Sequence, residues 1–176
     1  MKNPAQIALF LLLLLSGFAC RKDEGLAPGF DMLFQRTFSI PAGIGSLDVH
    51  HFQLRNIPSN WDQYLDTHRK TESDISGVIA NMGTLGGIFG DVDLSFIQQI
   101  SVRVYNESNP NDFVEIAYRD PAPFDTGNLL PLIPSLADAK RFFKEPRFSI
   151  DVVLYLRGIT QDQSDVRLDL TMRATY

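Results

Sequence analysis

Cysteine occurs once in the 176 residues, at position 20, so no disulfide can staple the fold from within. Histidine occurs three times. His50 and His51 are neighbours, and neighbours on a strand point to opposite faces, so the pair cannot chelate one ion unless the chain bulges there. His68 stands at no ligand spacing from them, and a structural zinc wants four such ligands, so no metal or other cofactor is expected. Basic runs are missing too. Lys and Arg never follow one another more than twice, and the formal net charge is −5. A nucleic-acid backbone is therefore excluded as the partner, because it calls for a concentrated basic face. With 44% hydrophobic and 21% charged residues, the composition is that of one ordinary globular domain.

Apolar runs are short. Ile7–Leu15 (IALFLLLLL) follows Lys2 and falls well short of the ~20 residues that span a bilayer, but it has the length of a signal-peptide core. Small residues then lead into Ser16-Gly17-Phe18-Ala19-Cys20. This stretch resembles the lipobox of bacterial lipoproteins, with Phe18 and Gly17 departing from the usual residues. The resemblance implies a thioether-linked lipid on Cys20 and cleavage before it. The other reading is a plain secretory peptide cut after Ala19, which would leave a free thiol. Lys22-Asp23-Glu24 is similar to the export tetrad of surface lipoproteins in Bacteroidota. That resemblance implies an outer-membrane protein on the cell surface, the alternative being the periplasmic leaflet or a merely solvated tether. The expected organisation is a signal peptide over 1–19, a lipidated tether over 20–31 and a folded domain over 32–176.

In the rest of the chain the dominant period is two. Phe34, Phe38 and Ile40 share one parity, and Pro41-Ala42-Gly43 turns the chain. Leu47 and Val49 alternate, then Phe52 and Leu54 on the opposite parity, which predicts a β-bulge at His50-His51. Ile100, Val102 and Val104 alternate with polar neighbours, as do Val114, Ile116 and Tyr118. Phe148 to Leu156 and Val166 to Ala174 give two longer alternating runs, the mark of strands wet on one side only. The short link at 158–164 predicts that these last two pair as an antiparallel hairpin, with Ile150 opposite Met172. Helical spacing recurs at Trp61, Tyr64, Leu65 and His68 behind Ser59 or Asn60, and again at Leu136, Ala139 and Phe143 behind Ser135. The prediction is an all-β protein, an antiparallel β-sandwich of about seven strands with two short helical insertions.

No catalytic residue stands out. The serines lack a nucleophile-elbow context, and no pair of carboxylates is indicated by spacing. Asp91 and Asp93 and the run Asn109-Pro110-Asn111-Asp112 could offer oxygens to calcium, but they lack the spacing of an EF-hand loop and read better as turns. Trp61, Tyr64 and Tyr118 suit core packing better than a sugar platform. The unusual stretch is Gly83–Gly90, whose Gly86, Gly87, Ile88 and Phe89 read either as a strand-loop under the core or as an apolar lip that meets a ligand or partner. The functional expectation is a non-enzymatic module, held to the membrane by its lipid, that binds an envelope protein or a glycan. The alternatives are a structural subunit associating through a sheet edge and a hydrolase with an acidic pair.

Overall fold

The computed structural model describes residues 28–90 and 92–176. The expected signal peptide over 1–19, with Cys20, Lys22, Asp23, Glu24 and Asp91, lies outside the described residues. Eight strands follow in order: β1 (Gly29–Ile40), β2 (His50–Pro58), β3 (Gly77–Gly87), β4 (Ile97–Asn106), β5 (Asn109–Arg119), β6 (Leu129–Pro134), β7 (Arg147–Leu156) and β8 (Ser164–Thr175). Two helices interrupt them, α1 (Trp61–His68) and the single turn α2 (Lys140–Phe143).

Hydrogen bonding links the strands in the order β1-β8-β3-β6-β5-β4-β7-β2, with every pair antiparallel. The β6–β5 link is slight, only Ala117 with Pro134 and Tyr118 with Ile133. The structure is therefore two four-stranded sheets, β1-β8-β3-β6 and β5-β4-β7-β2, face to face. This winding, with β8 between β1 and β3 and β7 between β2 and β4, is that of a jelly roll.

Alternation dictates the packing. In β8, Val166, Leu168, Leu170, Met172 and Ala174 are buried, while Arg167 is exposed and Asp169 and Arg173 partly so. The same rule buries Phe148, Ile150, Val152, Leu154 and Leu156 of β7. Aromatic rings close the core: Phe34, Phe143 and Phe148 lie with centroids 5.3, 5.2 and 4.6 Å apart in pairs. α1 adds Trp61 and Leu65 to this core, as its helical spacing predicts.

Three expectations are corrected. β7 and β8 do not form a hairpin. Each is already flanked on both sides within its own sheet, so the link 157–163 must cross the sandwich. The bulge in β2 falls not at His50-His51 but between Leu54 and Ile57, where Asn56 takes a left-handed φ of 62°. The parity change at His50 has a simpler cause: β2 starts there, and Leu47 and Val49 belong to the preceding loop. The helix expected from Ser135 is shorter. Leu136 stays exposed, and Asp138 turns its Oδ1 to the amides of Val78 (2.8 Å) and Lys140 (2.9 Å).

Phe148→Ala should cost about 3–5 kcal/mol in urea unfolding, since it leaves a cavity between two other rings. Leu136→Ala should change stability by less than about 0.5 kcal/mol. Equal effects from the two would contradict this packing.

Candidate functional site

Because nearly every connection crosses the sandwich, the loops gather at two poles. Loops 41–49, 88–96, 120–128 and 157–163 meet at one. Backbone bonds stitch them together: Gly43 N–H to Thr160 O (2.8 Å), Ile88 N–H to Asp165 O (2.9 Å), Leu94 N–H to Gly127 O (2.7 Å) and Arg157 N–H to Phe96 O (2.8 Å). The Thr160 hydroxyl donates to Pro41 O (2.8 Å) and accepts from the Ile44 amide (3.1 Å).

Arg157 organises this pole with no carboxylate partner among the described residues. Its guanidinium donates to the carbonyl oxygens of Ser95, Ile97 and Ala122, and its carbon sits 4.2 Å from the centre of the Phe124 ring. Three loops are thus held by one planar fork of donors.

Between the loop 88–96 and the segment 159–165 opens a cleft of about 500 Å³. Phe89, Val92, Phe96 and Ile159 supply its apolar wall, and Asp93, Asp162 and Asp165 its acids. Among the described residues no Lys, Arg or His lines it. The rim is apolar: Phe89 is 62% exposed, Ile159 64%, and Phe124 nearby 82%. A second recess of about 570 Å³ lies on the outer face of the β1-β8-β3 sheet, beside Leu33, Met82 and Asp169. It is a shallow sheet surface lined also by Arg36; Asp169 there pairs its Oδ2 with Arg167 Nε at 2.9 Å, and its buried Oδ1 has no partner among the described residues.

Of the residues singled out in the sequence, Gly86 and Gly87 end β3, Ile88 is exposed beyond it, and Phe89 forms one wall of the cleft. Gly87 has a steric reason to lack a side chain, since a Cβ there would come within 2.6 Å of Val92 Cβ. Sequence reasoning missed Ile159, Phe124, Arg157 and Asp165. Their loops are remote from Phe89 along the chain, and only the crossing topology brings them together. The three histidines stay apart. His50 Nε2 meets Gly45 O at 2.7 Å, His51 Nδ1 meets Asp151 Oδ2 at 2.8 Å, and His68 stacks on Phe30 at 4.3 Å. Among the described residues, no three of His, Cys, Asp and Glu converge as metal ligands would.

Two of the three cleft acids, Asp93 and Asp165, are already bonded. Asp165 Oδ1 accepts from the Ser39 hydroxyl at 2.5 Å. Bonds from the Ser95 hydroxyl (2.6 Å) and amide (2.9 Å) hold the Asp93 carboxyl below its ordinary value of 3.8. A general acid near neutral pH needs the opposite shift, so Asp93 is fitted to carry charge and cap a turn, not to deliver a proton.

No known protein family and no curated protein matches the chain. Solved structures do, at low similarity. The capsid asymmetric unit of cyanophage Pam1 aligns with 14% identity and a TM-score of 0.43, over 88% of this chain and 91% of that one. The decameric BFDV capsid protein aligns with 13% identity and a TM-score of 0.33, over 86% and 100%. Desmodium yellow mottle tymovirus aligns with 6% identity and a TM-score of 0.26, over 89% and 93%.

A lowered carboxyl contributes stability that is present above its unfolded value and lost as pH falls through the folded one. Ser95→Ala should therefore move the Asp93 titration, followed by carboxyl-carbon NMR, upward toward 3.8, and shrink the part of the acid loss of stability that this carboxyl contributes. An unmoved titration would mean that the hydroxyl bond does not form. Arg157→Met should lower stability by about 1–3 kcal/mol by stranding the carbonyls of Ser95, Ile97 and Ala122, measured by urea unfolding. A change near zero would show that water replaces the guanidinium at no cost.

Proposed function

We propose that this protein is a non-enzymatic binding module, anchored in the outer membrane by a lipid on Cys20 and presented at the cell surface, that contacts an envelope protein or glycan through its loop pole. The observation that carries the binding reading is the cleft. It joins an apolar wall to charged groups, the usual composition of a recognition site, and its rim leaves large apolar side chains in water. The anchor reading rests on the sequence, on the position of the sole cysteine behind an apolar run. Lipid chains on that residue would supply firm attachment at ~0.8 kcal/mol per buried methylene.

Association through a sheet edge has less support. The β-order leaves β1 and β2 as edges, and β5 and β6 are edges too over the length beyond their two paired positions. The β1 edge is partly covered, its Leu33 amide donating to the Tyr64 hydroxyl of α1 at 3.2 Å. The β2 edge carries Arg55 and the bulge at Asn56, both of which discourage strand addition. The hydrolase reading lacks a proton donor at Asp93 and has no other observation in its favour.

Cys20→Ala should move the protein from the membrane pellet to the soluble fraction, and one that still pellets removes the anchor. Replacing Lys22, Asp23 and Glu24 with alanine should protect the protein from protease added to intact cells. Unchanged digestion would leave those residues as a plain tether.

A further inference from the structure

The two poles differ in charge and in their distance from the tether. β1 enters at Gly29, where Tyr176 N–H donates to Pro28 O (3.0 Å), and ends at Ile40 beside the cleft loops. Its 12 residues span ~40 Å at ~3.3 Å each. The chain between Cys20 and Pro28 can reach at most ~30 Å. An anchor at Cys20 therefore holds the α1 and α2 pole within ~30 Å of the bilayer and allows the cleft to stand at the far end of the molecule. Charge follows the same axis. The near pole mixes acids with exposed Arg69, Lys144 and Arg147. The far pole carries Asp48, Asp93, Asp120, Asp125, Asp162 and Asp165 around its apolar tips. Against them stand Arg157, already engaged by three carbonyls, and Arg119 at the end of β5.

We propose that the cleft pole is an outward-facing dock for a protein surface that presents an apolar or aromatic side chain flanked by Lys or Arg. This deepens the binding-module reading and rests on it. An apolar side chain fits the wall of Phe89, Val92, Phe96 and Ile159, and flanking cations meet Asp93, Asp162 and Asp165. Opposed potentials of this kind mainly speed encounter and exclude wrong partners. A lipid surface is disfavoured as occupant. The acids around the apolar tips would be repelled by anionic headgroups.

The test selects random peptides displayed on phage against the lipoprotein purified from membranes. Enriched peptides should carry Lys or Arg around an aromatic or aliphatic residue. Their affinity, read by fluorescence polarisation, should fall about tenfold or more on Asp162→Lys and on Phe89→Ser and weaken with salt. It should be unchanged by Asp66→Lys at the near pole. Both cleft residues are exposed, so neither substitution threatens the core. Enrichment of acidic or uncharged peptides would overturn the proposal. So would absence of enrichment, basic peptides indifferent to both cleft variants, or binding of phosphatidylglycerol vesicles by the Cys20→Ala chain that Phe89→Ser abolishes. Retained peptide affinity in the Cys20→Ala chain separates the dock from the anchor. If that chain still pellets with membranes, the anchor and the outward direction fall and the charge-matched dock stands.

Discussion

Each strand of this protein has one apolar face, and only a second sheet can cover it. The jelly roll satisfies that demand by sending the chain across the sandwich at every connection except the β4–β5 hairpin. Crossing fixes the rest. It places the loops at two poles, gives β7 and β8 neighbours on both sides, and leaves β1 and β2 at the ends of the strand order. The near-continuous burial of β7 follows from its central place between β2 and β4.

Elements were legible in the sequence wherever burial imposes a period. The alternation in β4, β7 and β8 and the spacing in α1 all reflect a face pressed against the core. β6 was not legible. Leu129–Pro134 contains two prolines, which argue against a strand, yet β6 stands where the sheets barely join and most of its outer edge has no ladder to complete. Pairing was not legible either. A period of two records which face is wet and carries nothing about which strand lies alongside, so the short link after Leu156 suggested a hairpin where the chain changes sheets. At the candidate site, Phe89 could be named because an apolar tip among glycines is odd in itself. Ile159 and Asp165 look ordinary in their own loop and acquire meaning only beside Phe89.

The chemistry of the cleft follows from how its charges are held. Asp93 and Asp165 are each bonded to a serine hydroxyl, an arrangement that suits fixed negative charge. The strongest cation nearby, Arg157, is spent on backbone carbonyls and does not neutralise them. The pole is thus acidic by construction, while the pole of α1 and α2 mixes both signs. A molecule polarised along its strands presents different faces to whatever lies at each end.

The Thr160 hydroxyl, bridging the loop after β1 to the loop before β8, has one further consequence. Together with Arg157 it makes four loops a single preorganised rim. A ligand entering would find little conformational freedom to freeze, so the entropic cost of ordering a site at the moment of encounter would be largely absent. Association would then be set by collision rate and charge, with no slow rearrangement to wait for.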